Sequence, residues 1–177
     1  MLFRSVDQKD LGVERYDAGR DYLAALRDLK LEPEALFWAY DKSMGQLVLV
    51  LVTSLFDFAG PLALTRLLFD AYNAAATPKE IDPFILRLHS PKHTLYRAAQ
   101  AHIGTRVDSA DLKGAALDRA TISGEFKPSA VASFGAGDLE SFGTWVYKST
   151  PSPKGVKAVE LGPRWRRFEH AVHKLAA

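Results

Sequence analysis

The chain has 177 residues, of which 47% are hydrophobic and 25% charged, and its formal net charge is +2. That length suits one domain, the apolar fraction is enough for a real core, and so small a charge creates no global field towards nucleic acid or acidic lipid. With no cysteine in the sequence, disulfides, thiolate metal sites and a cysteine nucleophile are excluded.

At the start, Leu2 to Val6 fits an edge strand or an unstructured lead. Arg4, Asp7, Lys9 and Asp10 stand where a signal peptide would need an apolar stretch, so a cytoplasmic protein is expected. Asp17 is placed to cap a helix running to Leu29, with Tyr22, Leu23, Leu26 and Leu29 on its apolar face. After Pro33, Ala35 to Tyr40 (ALFWAY) reads as a strand, and Asp41 to Gly45 as a turn in which Gly45 is free to take a positive φ. The run from Leu47 to Val52 (LVLVLV) falls far short of the about 20 residues a bilayer requires. Its valines and its neighbouring turn mark an inner strand, continuing to Thr53.

Gly60-Pro61 opens a helix whose Leu64, Leu67, Leu68, Ala71 and Ala75 share one stripe. Phe84 to Leu88 alternates as a third strand, parallel to the second if the helix is a crossover between them. Thr94 to Ile103 reads as a short helix, and Asp111 to Arg119 has helical periodicity weakened by Gly114. Thr121 to Phe126 and Thr144 to Lys148 read as strands, while the glycine- and serine-rich Lys127 to Gly143 between them reads as loop with a helical turn. Ser149 to Gly155 is the strongest linker signal, followed by a short strand at Val156 to Val159. Pro163 to Leu175 then forms a last helix, apolar at Phe168, Val172 and Leu175. The expected architecture is a single α+β domain: a mixed or antiparallel sheet of about five strands with helices packed on it.

Five stretches could carry chemistry. Thr53, Ser54 and Asp57 lead into a helix N-terminus, where Ser54 or Asp57 would serve as the cap. His89, Ser90, Pro91, Lys92 and His93 follow a strand end, where open α/β sheets place ligands; Pro91 separates the two histidines and no acidic residue accompanies them, so no metal site is expected. Arg164, Trp165, Arg166 and Arg167 form a basic, aromatic cluster that could contact nucleic acid, with Lys148, Lys154 and Lys157 before it and His170, His173 and Lys174 after it. Phe37, Trp38 and Tyr40 could make a stacking platform, with Trp38 and Tyr40 on one face of their strand.

The fifth stretch is Glu125-Phe126-Lys127, with Asp108, Asp111 and Asp118 upstream. It resembles the E-x-K part of the PD-(D/E)xK nuclease motif, in which an acidic residue and a lysine hold Mg²⁺ and activate water. No aspartate on a preceding hairpin strand completes the pattern, and Pro128 follows the lysine. No glycine-rich phosphate loop or dinucleotide fingerprint is present, and no cofactor is expected. The sequence therefore points to a non-enzymatic binding module contacting protein or nucleic acid, without a membrane role, and to a homo-oligomer such as a homodimer. The rival reading is a metal-dependent hydrolase or nuclease using Asp111, Glu125 and Lys127.

Overall fold

Alternating leucine and valine in the second strand give the molecule two differently filled layers. The computed structural model describes residues 11–103, 133–149 and 158–176. Strands β1 (Ala35–Asp41) and β2 (Gln46–Val52) pair antiparallel throughout, from Ala35 opposite Val52 to Asp41 opposite Gln46. Their turn is closed by Asp41, whose Oδ1 accepts from Ser43 Oγ at 2.6 Å, Ser43 N at 3.0 Å and Met44 N at 3.1 Å. The Ser43 hydroxyl in particular holds this carboxyl below the usual carboxylate range. Gly45 takes φ 64° to complete the reversal.

Because successive strand side chains point to opposite faces, Leu47, Leu49 and Leu51 join Leu36 and Trp38 on one face. Val48, Val50 and Val52 join Ala35, Phe37 and Ala39 on the other. The leucine face carries α1 (Val13–Asp28), α3 (Pro61–Asn73) and α5 (Ala158–His173), packed through Tyr22, Leu23 and Leu26, through Leu64, Leu67, Leu68 and Ala71, and through Phe168 and Val172. On the valine face lies α4 (Thr94–Ile103), through Leu95, Tyr96 and Ala99. A short helix α2 (Leu55–Ala59) precedes α3.

The remaining strands extend the sheet on both sides of the hairpin. After a 3-10 turn at Pro83–Ile85, β3 (Leu86–His89) pairs parallel with β2. Strands β4 (Ser133–Ala136) and β5 (Leu139–Phe142) form a hairpin, and β6 (Val146–Ser149) follows. The six-stranded mixed sheet runs β3-β2-β1-β5-β4, and β6 also pairs with β1. The free edge of β1 is thus shared: Tyr40 and Asp41 pair with β5, and Ala35, Leu36 and Phe37 with β6. Between them the Ser141 hydroxyl donates to the Trp38 carbonyl, satisfying a buried acceptor that neither ladder reaches. The result is a single α+β domain with helices packed on its sheet. No helix among the described residues is long and apolar enough to cross a membrane.

Several boundaries differ from those expected. The first helix starts at Val13 with Gly12 as its cap residue, so Asp17 lies inside it and pairs with Arg20 at 2.8 Å instead of capping. Ser54 is the cap position of α2 but makes no capping bond; Thr53 Oγ1 accepts from Leu55 N at 3.2 Å in its place. Phe84 belongs to the 3-10 turn and is 75% exposed, not part of a strand face. Residues 133–142, expected as loop, make the β4–β5 hairpin, with Gly137 at φ 59° in its two-residue turn. Ala158 and Val159 are helical rather than a strand, and Pro163 lies inside α5 instead of starting it. Leu175, expected on the apolar side, is 42% exposed. The strand expected at Thr121 to Phe126, the helix at Asp111 to Arg119 and most of the linker lie outside the described residues.

Candidate functional site

Since β2 and β3 run parallel, the segments that follow them meet at one end of the sheet. Thr53 N donates to the His89 carbonyl at 3.1 Å. Ser90 Oγ donates to Asp57 Oδ2 at 2.7 Å, and Lys92 Nζ lies 3.4 Å from the same oxygen. Next to them Glu34 accepts from Ser54 N at 3.0 Å, Ser54 Oγ at 2.8 Å and Arg164 Nη1 at 3.1 Å. Arg164 also donates from Nη2 to the Glu32 carbonyl at 3.0 Å. The Glu32 carboxylate takes Arg27 Nε at 3.0 Å and Lys148 Nζ. Burial, with Arg27 and Arg164 nearby, lowers the Lys148 ammonium to about 8.

This end of the sheet therefore gathers the Thr53–Asp57 turn, the His89–His93 segment and Arg164. Its charged groups are turned on one another, which describes a structural clamp. His93 Nδ1 accepts from Leu95 N at 3.2 Å at the start of α4, and its ring stacks on His89 at 4.0 Å. Burial lowers the pKa of His89 to about 4, with repulsion from His93 and Arg87 adding to it. Of the basic cluster, Trp165 is half-buried and edge-on to Phe168 at 6.0 Å; Arg166 and Arg167 are exposed. No group of three or more metal-ligating side chains occurs among the described residues. Asp111, Glu125 and Lys127 lie outside them.

The opposite end of the sheet, at the hairpin turn, is open. A cavity of about 610 Å³ lies on the leucine face between the start of α1 and the α3–β3 connection. Trp38 and Tyr40 from β1 and Leu47 from β2 line it below, and Glu14, Arg15 and Ala18 from α1 on one side. Glu80, Ile81 and Ile85 line it on the other, with Gly45 and Gln46 at the hairpin end. Trp38 is fixed from behind: its Nε1 donates to Tyr147 Oη at 2.9 Å, and that hydroxyl donates to the Tyr16 carbonyl at 2.7 Å. Tyr147 is the extra residue where the β1–β6 register shifts between Leu36 and Phe37. Such a bulge re-aims a side chain, here towards α1.

The cavity combines an aromatic floor with a charged border. None of Glu14, Arg15 and Glu80 is in an ion pair among the described residues. Its chain neighbours are exposed and apolar: Val13 before Glu14 and Met44 before Gly45 are each 60% exposed, and Phe84 before Ile85 is 75% exposed. Sequence reasoning placed Trp38 and Tyr40 together on one face but did not connect them with Glu14 or Glu80. Those residues reach the cavity from far along the chain, and only the packing of α1 and the α3–β3 connection over the hairpin unites them. No family model matches the chain, and neither the curated proteins nor the solved structures include a match to it.

Proposed function

We propose that the chain is a non-enzymatic binding module and that its partner is a protein, one of whose side chains anchors in the cavity between α1 and the β1–β2 hairpin. The observation that carries this reading is a cavity lined by Trp38, Tyr40, Leu47 and Ile85, whose lining residues have exposed apolar chain neighbours in Val13, Met44 and Phe84. A volume near 610 Å³ falls in the range of about 300–1,000 Å³ usual for ligand sites. Aromatic residues in a pocket with apolar neighbours are the usual make-up of a binding hot spot. Besides the Tyr40 hydroxyl, the lining's titratable groups are Glu14, Glu80 and Arg15. All three are exposed on the border, with no buried partner to tune them for acid–base chemistry among the described residues. Two carboxylates against one guanidinium would repel nucleic-acid phosphates, which favours protein over nucleic acid as partner.

Panning a displayed random peptide library on the purified protein tests the proposal. Enriched peptides should shift the indole N–H resonance of Trp38 and the amides of Tyr40 and Ile85. Phe84→Ser should weaken them about tenfold while lowering the melting temperature by only a few degrees, since Phe84 is 75% exposed and its ring meets Phe69 edge-on at 5.2 Å. Enriched peptides that instead perturb Asp57, Lys92, Arg166 or Arg167 would place recognition elsewhere. Self-association that shifts Trp38 without peptide would make the occupant a second copy of the chain.

A further inference from the structure

We infer that the cavity selects a basic side chain, arginine or lysine, carried on an extended peptide; this rests on the reading of the cavity as the recognition site. The argument begins with charge. Glu14 and Glu80 border the same cavity from opposite sides, one on α1 and the other on the α3–β3 connection, and neither is ion-paired among the described residues. Elsewhere in the described structure carboxylates near cations are engaged: Asp41 lies 3.7 Å from Arg87, Asp57 3.4 Å from Lys92, Glu140 3.1 Å from Lys42 and Glu34 3.1 Å from Arg164. At the cavity, two carboxylates without an ion-pair partner among the described residues stand beside an apolar space.

The floor suits the same ligand. A cation is attracted to the face of tryptophan or tyrosine when it lies within about 6 Å of the ring centroid. Tyr40, half-buried, offers such a face in the lining, while Trp38, only 2% exposed, lies beneath it and reports on occupancy. The methylene stem of arginine or lysine would pack along Leu47 and Ile85, since such side chains bury their stems and keep the charge near polar groups. A wholly apolar side chain would forgo the attraction of the two exposed carboxylates at the border, and an acidic one would be repelled by them. Arg15, also in the lining, acts against a basic ligand and gives the site a built-in counter-test.

The probe is a heptapeptide of glycine, serine and leucine with arginine at its centre, compared with its citrulline and leucine analogues. Citrulline keeps the shape and loses the charge. Each is titrated into the full chain while the Trp38 indole N–H is followed by NMR. The arginine peptide should bind about tenfold more tightly than the citrulline peptide. Glu14→Gln combined with Glu80→Gln should remove that difference, Arg15→Gln should widen it, and added salt should narrow it. If citrulline or leucine peptides bind at Trp38 as well as arginine does, the basic-side-chain inference falls and the cavity remains the recognition site. If none of the three moves the Trp38 resonance at millimolar concentration, both the inference and the proposed site fall.

Discussion

Gly19 shows how a single residue can govern the site without touching a ligand. It lies in the interior of α1, where alanine would ordinarily stabilise the helix by about 0.5–1 kcal/mol. Yet a Cβ at this position would stand 2.5 Å from Tyr147 Cζ and Cε2. The ring cannot simply swing away, because its hydroxyl is held between Trp38 Nε1 and the Tyr16 carbonyl, and its plane packs on Tyr16 at 5.1 Å. Gly19→Ala should therefore destabilise by about 1–3 kcal/mol, the usual cost of overpacking a close-packed site, despite the gain in helix propensity. Urea unfolding followed by tryptophan fluorescence measures it. An unchanged or raised midpoint would show that Tyr147 has room to move and that Trp38 is not rigidly supported.

At the scale of the element, α5 is held both by apolar packing and by a few polar contacts. It packs through Phe168 and Val172, but Arg164 is what joins it to the strand end, through Glu34 and the Glu32 carbonyl. Glu34 is buried and keeps both Ser54 donors if Arg164 is removed. Arg164→Ala should cost about 1–3 kcal/mol, less than the loss of a wholly buried ion pair, because two hydrogen bonds remain and the arginine is partly solvated. Paired with Glu34→Gln in a double-mutant cycle, the two changes should couple by more than about 0.5 kcal/mol. Strict additivity would mean that α5 is held by its apolar residues alone.

The same element explains what the sequence could and could not disclose. Phe168 and Val172 announced the buried face of α5 because helical spacing is a local property. Its start was misplaced because Pro163 resembles a first-turn residue. Yet here it lies one turn further in, where the carbonyl it leaves unpaired belongs to Val159, exposed to water. The β1–β2 strands and α3 were legible for the same local reasons, down to Gly45 and Pro61. The exception is that α3 ends at Asn73, so Ala75, expected on its apolar stripe, lies beyond it, exposed and at φ 57°. The β4–β5 hairpin was not, because strands of four residues rich in glycine and serine carry a turn's composition. Their pairing with β1 is a tertiary fact. Of the cavity, only the shared face of Trp38 and Tyr40 could be read from period two.

At the scale of the molecule, the cavity lies where the helical layer meets the hairpin end of the sheet. The leucine face of the β1–β2 hairpin is covered by α1, α3 and α5, but near the turn only the first residues of α1 and the α3–β3 connection border it. A side chain added at the cavity lining therefore tests whether the space can be filled. Ala18 is the residue suited to do so: it is buried on the sheet side of α1 and lines the cavity. Ala18→Phe would add a ring at the cavity lining, and an aromatic residue costs a helix only a few tenths of a kcal/mol. The melting temperature should stay within a few degrees of the parent if the ring enters the cavity, because the apolar area it buries there offsets the crowding of a buried position. Binding of the arginine peptide should fall at least about tenfold, since the anchor and the new ring would compete for one volume. A stable Ala18→Phe protein that still binds the peptide with unchanged affinity would show that the cavity is incidental and that recognition occurs on another surface. A protein that fails to fold would show that α1 seats more tightly on the sheet than the cavity implies, and the smaller Ala18→Leu would then test the same volume.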